Sequence, residues 1–309
     1  MTLFNNEDEA TVQVAGEALI DLLMQADGRL LPRLGGSPYN LARAMAHLGR
    51  PVAYRMPLSS DAFGRQLAKA LLDSGVALQG PTSACPTSLA LVRVSPDGHP
   101  AYSFYRAGVA DRDLDPASLS IPATARLFHV GSLSLIPPDG LAWAGLLERL
   151  AAQGIPTSVD VNMRPGVAPD RQAYVDSVRR AMQQARYLKV SDEDLQVLGF
   201  AGDPREVAVS LLGRVTQVVV LTLGREGAWA YAYGGIAIRQ EAPRVTVVDA
   251  VGAGDCFYAG FLARLDELGC LQGRPAADEL TEALRFGAAV TAINLQRAGC
   301  QPPWRHEVN

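Results

Sequence analysis

Lysine is almost absent from this chain. Among 28 basic residues only Lys69 and Lys189 are lysines, and the other 26 are arginines. Chemistry that needs a dedicated lysine therefore has two candidates. A P-loop places its lysine inside G-x-x-x-x-G-K-[ST]; neither Lys69 nor Lys189 follows a glycine, which excludes that mode of nucleotide binding. The glycine-rich loop and strand lysine of protein kinases are missing too. Cysteine is sparse: Cys85, Cys256, Cys270 and Cys300 are scattered, with no C-x-x-C pair. That argues against a disulfide framework or a cysteine metal site. Neither sign of charge dominates, since 28 basic and 32 acidic residues leave −4, so no basic field points to nucleic acid or an anionic membrane. No apolar run approaches the roughly 18 residues of a membrane span. The acidic start, Glu7-Asp8-Glu9, is unlike a secretory signal, and a cytoplasmic protein with reduced cysteines is expected. No G-x-G-x-x-G opens a helix, and H-E-x-x-H and G-x-S-x-G are absent. His47, His99, His129 and His306 sit in unrelated contexts and read as packing or surface residues.

What the chain has is alternation. Short β-branched runs at 11–15, 51–57, 127–131, 156–161, 187–190 and 218–223 are separated by helical patterns at 40–48, 62–74, 140–153, 171–185 and 204–212. Two further helical patterns, 255–268 and 276–295, close the chain. Apolar strands between helices of this size predict a mainly parallel, doubly wound sheet covered on both faces, an α/β fold. Length alone, at about 150 residues per domain, suggests two domains. One stretch breaks the rhythm. Residues 88–94 and 101–106 flank Ser-Pro-Asp-Gly-His and predict an antiparallel hairpin. With segment 29–34 it reads either as an excursion forming a lid or as an edge hairpin of the main sheet.

The richest segment is 244–262. A β-branched run ends at Asp249, Gly252-Ala253-Gly254 make a tight loop, and Asp255 opens an apolar helix. Small residues there let N–H groups converge at a helix N-terminus, which favours an anion. Asp255 beside that hole is placed to accept a proton from a hydroxyl attacking a phosphoryl group. The alternative reading is an N-cap aspartate after an ordinary turn.

Asp249-Ala250-Val251-Gly252-Ala253-Gly254-Asp255 resembles the D-T-x-G-A-G-D signature of the ribokinase-like (PfkB) carbohydrate kinases. Residues 35–49, beginning Gly35-Gly36-Ser37-Pro38-Tyr39-Asn40, resemble that family's G-G-x-x-x-N-x-A-x-x-x-x-x-L-G signature. The resemblance runs nearly end to end. Segments 16–21, 104–106, 129–135, 160–165 and 189–194 are similar to those of bacterial fructokinases. It implies one ribokinase-like domain over 1–309, with a small β-sheet lid formed by excursions near 11–34 and 88–110.

The resemblance also implies roles. Asp255 matches the catalytic base, and Gly252, Ala253 and Gly254 match the anion hole. Asp21 matches an acidic residue at the end of the first strand that binds sugar hydroxyls. Gly35, Gly36 and Asn40 match the sugar-side signature; Asn40 alone would also serve as a helix cap. Arg106 matches a lid residue reaching the substrate, although an exposed strand arginine is the plainer reading. Asn162 and Arg164 line the gap between sugar and phosphates, with Asp160 structural. Thr222, Gly224 and Gly227 match a nucleotide-binding T-x-G-x-x-G. The family's N-x-x-E reads Ser191 and Asp194 here, with Asp194 shorter by one methylene where water-mediated Mg²⁺ contact is expected. Asp249 matches a residue near a monovalent cation, K⁺ in this expectation, and Ala250 replaces the usual threonine. The implied activity is ATP- and Mg²⁺-dependent phosphorylation of fructose to fructose 6-phosphate. The alternatives are 2-keto-3-deoxygluconate kinase, another sugar kinase, or a non-catalytic sugar sensor. A homodimer through the lid is expected. No lysine is required, so phosphate charge is expected to be met by amides, Mg²⁺ and arginine.

Overall fold

The computed structural model describes residues 11–94, 100–164 and 166–308. Its strands are β1 (Val12–Val14), β2 (Leu19–Met24), β3 (Leu30–Gly35), β4 (Val52–Tyr54), β5 (Leu58–Ser59), β6 (Ala77–Leu78), β7 (Thr82–Ser83) and β8 (Ser88–Val94). There follow β9 (Pro100–Tyr105), β10 (Leu127–Gly131), β11 (Thr157–Asp160), β12 (Tyr187–Ser191), β13 (Val218–Thr222), β14 (Ala228–Ala232) and β15 (Ile236–Gln240). The helices are α1 (Ser37–His47), α2 (Ala62–Asp73), α3 (Asp139–Ala152), α4 (Arg171–Gln183), α5 (Asp192–Val197), α6 (Pro204–Ser210), α7 (Ala253–Glu267) and α8 (Ala277–Asn294).

Nine strands form the main sheet in the order β15-β14-β13-β12-β11-β10-β1-β4-β6. All neighbours from β13 to β6 are parallel, and β14 and β15 add an antiparallel edge. Burial on both faces explains the near-continuous apolar strands: Val218, Val219, Val220 and Leu221 are all fully buried. The chain steps from β1 to β4 and β6, then returns to β10 and proceeds the other way. Strand order therefore reverses between β1 and β10, and ligands of such sheets bind outside the carboxyl ends of the strands at that reversal. Not every buried polar atom in the core is paired: among the described residues His129 Nε2 and Asp160 Oδ2 have no hydrogen-bond partner. His129 meets Ser158 at 3.0 Å, and burial, then Lys189, pushes the imidazole down to about 3, so it is a neutral packing residue.

The hairpin belongs to a separate four-stranded sheet, β3-β2-β8-β9, and not to the edge of the main one. β2 pairs β3 antiparallel and β8 parallel, and β8 pairs β9 antiparallel. The expected turn at 95–99 lies outside the described residues. Met24, Leu30, Leu31, Tyr102 and Tyr105 of this sheet are exposed.

Three local expectations are corrected. The β-branched run before Asp249 forms no strand: β15 already ends the sheet, and Val247 and Val248 are exposed in a crossing segment tied by a Val248 N–H to Leu295 carbonyl bond of 2.8 Å. Helix α1 begins at Ser37, not Asn40, because Pro38 fits a first turn where its missing N–H costs nothing. Helix α7 begins at Ala253, which puts Asp255 inside the first turn and not at the cap. Strands β14 and β15 and helix α5 were not anticipated.

Candidate active site

The two signatures converge where the sheet reverses. They enclose a cavity of about 250 Å³, between the small sheet, the starts of α1 and α7, and the carboxyl ends of β11 and β12.

Helix α7 starts on Gly252 in the left-handed conformation, φ 71°, where a Cβ would lie 2.3 Å from Cys300 Sγ. Only glycine makes that turn without strain. Among the described residues the amides of Gly254 and Asp255 have no hydrogen-bond acceptor, so the helix presents free N–H donors and its positive end to the cavity. Helix α1 starts similarly, on Gly36 at φ 110°, with the Glu17 carbonyl where a Cβ would stand.

Asp255 is buried, and its carboxylate does not cap its own helix. Oδ1 accepts from Ser37 Oγ at 2.7 Å and Oδ2 from Asn40 Nδ2 at 2.8 Å. Ser37 and Asn40 are three residues apart, on one face of the first turn of α1. Burial pushes the Asp255 pKa up, against Asn40, Ser37, Lys189 and Arg164, which favour its charged form. Such a carboxylate is poised to take a proton.

Asp21 stands on β2 of the small sheet, a correction to its expected place at the end of the first strand. The bend after β1 carries the chain into the second sheet before Asp21 is reached. Gly35 packs against its carboxylate, which burial pushes up to about 6 despite Arg164. Asn162 has a left-handed backbone, φ 37°, strain of the kind that gathers at functional sites. Its Oδ1 accepts from Arg164 Nη1 at 2.5 Å, and the Arg164 guanidinium stacks 5.8 Å from the Tyr102 ring.

Asp21, Gly36, Asn40, Asn162, Arg164 and the 252–255 loop thus face one cavity. Other candidates do not line it. Arg106 is neither exposed nor directed inward: Nη2 pairs with Asp111 at 2.7 Å and Nη1 donates to the Leu133 carbonyl at 3.1 Å. Asp249 ties the loop, accepting from Val251 N–H at 3.0 Å and Gly299 N–H at 2.8 Å. Asp194 and Ser191 form the capping box of α5. The Asp194 oxygens accept from Met163 N–H at 2.7 Å and Ser191 N–H at 2.8 Å. Ser191 faces Thr222 across β12 and β13, and Gly224 and Gly227 bound the short turn after Thr222. Among the described residues no three His, Cys, Asp or Glu side chains converge to cage a metal. Both Asp194 oxygens are engaged by backbone amides, so this donor set offers no direct cation ligand among these residues.

Sequence reasoning missed three residues. Ser37 holds the Asp255 carboxylate, and its signal was a hydroxyl one turn before Asn40. Glu17 lines the cavity and accepts from Ser37 N–H at 3.1 Å; burial pushes it up to about 7, with Arg106 opposing. Lys189 also lines the cavity, its Nζ 2.8 Å from Asp160 Oδ1 and both side chains buried. Its signal was a lysine in an otherwise apolar strand.

Comparison with known proteins identifies the family. The chain is 36% identical over 283 residues to a fructokinase of Rhizobium leguminosarum bv. trifolii, covering 88% of this chain and 85% of that protein. The crystal structure of a Xylella fastidiosa fructokinase with bound ATP superposes with a TM-score of 0.86 at 29% identity, over 96% of both chains. A Vibrio cholerae O395 fructokinase, solved with fructose, ADP and calcium, gives 0.80 at 25% identity over 94% of both. The pfkB family of carbohydrate kinases matches residues 10–307, which takes in both glycine signatures and every side chain around the cavity. On that breadth the chain belongs to the pfkB family of carbohydrate kinases.

Proposed function

We propose that this chain is an ATP-dependent fructokinase acting on the 6-hydroxyl of fructose. The observation that carries the reading is Asp255, a buried carboxylate fixed by Ser37 and Asn40 beside the free amides that open α7. The 6-oxygen attacks the γ-phosphorus, its proton passes to Asp255, and the bond to the β,γ-bridging oxygen breaks to release ADP. Positioning and charge stabilisation carry most of such a step.

Asp21 and Asn40 hold sugar hydroxyls, and Gly35 and Gly36 let backbone approach. Asn162 and Arg164 border the phosphates, while the Gly252, Ala253 and Gly254 amides receive the transferring group. Ser191, Asp194, Thr222, Gly224 and Gly227 take the nucleotide at the ends of β12 and β13. Mg²⁺ arriving with ATP would neutralise phosphate charge, and K⁺ would sit in the loop that Asp249 ties. Arg106 supports the wall from behind. The whole chain acts as one kinase domain in the cytoplasm, with the small sheet as a lid. Two copies pair through that sheet, where Met24, Leu30, Leu31 and Tyr105 are exposed.

A neutral sugar suits the cavity better than 2-keto-3-deoxygluconate. Glu17 and Asp21 line it, and Arg106, which an acid sugar would want beside Arg164, is held by Asp111. Purified protein with ATP, Mg²⁺ and a sugar panel tests this. Fructose is expected to give the highest kcat/KM; turnover only with the sugar acid would reject the specificity, and sugar binding without ADP release would reject catalysis.

A further inference from the structure

The scarcity of lysine makes the position of Lys189 informative. Lys69 lies on α2 with its side chain 75% exposed, paired to Asp73 one turn away. Lys189 rises from β12 into the floor of the cavity, with only 6% of its side chain exposed. A Cβ on Gly254 would lie 3.7 Å from Lys189 Nζ, so the ammonium sits directly against the loop that opens α7. Of its three N–H donors, one is used by Asp160 Oδ1; among the described residues the other two have no hydrogen-bond acceptor. A buried Lys–Asp pair is costly to keep, since apolar residues of similar size would commonly serve stability as well or better. The Arg106–Asp111 pair is buried too, but it has no frontage on the cavity. Lys189 has that frontage, in a cavity whose lining also carries Glu17, Asp21 and Asp255.

We propose that Lys189 is a catalytic residue that donates its free N–H groups to the oxygens of the transferring phosphoryl group, opposite the amides of Gly254 and Asp255. This rests on the kinase reading above. The proton of the sugar hydroxyl still goes to Asp255 and the leaving group is still ADP; Lys189 stays protonated and meets charge that builds on the phosphoryl oxygens. Asp160 orients the ammonium. Against the burial that disfavours its charge, Asp160, Asp194 and Asp255 hold Lys189 in its charged form.

Composition supplies the test. The full chain labelled with ¹³C at lysine Cε contains two labelled residues, and exposed Lys69 is the internal reference. Inorganic tripolyphosphate, and then ADP with aluminium fluoride and fructose, are expected to move the Lys189 resonance and leave Lys69 in place. A stationary Lys189 resonance while calorimetry shows binding would overturn the proposal. So would equal movement of both lysines, or no binding of either probe.

Kinetics give the second readout. Lys189→Met would strand a buried Asp160 charge and risk misfolding, so Lys189→Gln is combined with Asp160→Asn to keep a neutral hydrogen-bonded pair. This variant is expected to lose about 100-fold in kcat, with KM for fructose changed less than about threefold. Retention of kcat within about threefold would also overturn the assignment. Lys69→Gln is the control and leaves turnover unchanged. Movement of Lys189 on tripolyphosphate in a protein that turns over no sugar would sink the kinase reading alone; turnover with a stationary Lys189 would sink this proposal alone.

Discussion

Six helix starts in this molecule fall into two kinds, while α3 and α8 open on Pro138 and Ala276. Helices α2, α4, α5 and α6 open on Asp61, Asp170, Ser191 and Asp203, whose side-chain oxygens accept first-turn amides. Helices α1 and α7 open on glycines with positive φ and no side-chain cap. The first four helices use their N-terminal donors internally and gain stability from it. The glycine-led pair have no such cap: α7 leaves the Gly254 and Asp255 amides toward the cavity, the Ser37 amide of α1 goes to Glu17, and their first turns hold Ser37, Asn40 and Asp255. In the proposed reaction the glycine-led ends carry chemistry, the caps of α2, α4 and α6 serve stability, and the start of α5 does both.

The sharpest way to test that division is Asp255→Asn. The amide keeps the shape and can still meet Ser37 but cannot take a proton. Turnover is expected to fall by about 1000-fold or more, with fructose binding retained in calorimetry. Near-full activity would remove Asp255 from the reaction.

A paired substitution at the two kinds of start comes next. Gly252→Ala must place a side chain at φ 71° and within 2.3 Å of Cys300 Sγ; it is expected to cost about 2–3 kcal/mol in chemical denaturation and most of the turnover. Asp170→Ala removes an ordinary cap on exposed surface. It is expected to cost about 1 kcal/mol and leave kcat unchanged. Equal effects on activity would erase the distinction.

The third effect is smaller and depends on pH. Burial holds the Asp21 pKa at about 6, above its ordinary 3.8. The folded state therefore binds this proton more tightly than the unfolded chain. The stability contribution is full at acid pH and is lost as pH rises from about 4 to about 6. Sugar binding runs the other way, since the accepting carboxylate disappears as pH falls through about 6. Calorimetry from about pH 5 to about pH 8 should show fructose affinity falling at the acid end. Asp21→Asn should flatten that profile and weaken binding about tenfold.

Much of this was legible in the sequence, for reasons that differ by region. The strands at 127–131 and 218–222 are apolar apart from His129 and Thr222 because both faces are buried, so composition alone revealed them. The glycine loops were legible because Gly36 and Gly252 occupy backbone that other residues avoid. The small sheet was legible as an irregularity, but its pairing was not, since the register of β2 with β8 joins segments far apart in the chain. The run at 244–249 misled because β propensity describes a residue's fit to a sheet, and no sheet edge remained to receive it. Arg106 misled for a related reason: its distance from the cavity depends on Asp111, a partner that only folding supplies. Lys189 was visible from the start as a rarity and was dismissed because amides and arginine sufficed on paper.

Ser37 offers the finest measure of how the two starts cooperate. Its hydroxyl spans from α1 to Asp255 on α7 at 2.7 Å, and Asn40 makes the companion bond. Both bonds favour the ionised carboxylate against the burial that raises its pKa. Ser37→Ala removes one and leaves the other, so the Asp255 pKa should rise further. The acid limb of the kcat/KM profile should then move to higher pH, because the base is lost earlier on acidification. At a pH well above that limb, kcat should fall only about tenfold, the worth of one hydrogen bond to a charged group. Ser37→Thr, which restores a hydroxyl, should bring the limb back. A limb that stays in place in Ser37→Ala would mean that Asn40 alone sets the base, and that the start of α1 contributes one side chain to the chemistry and not two.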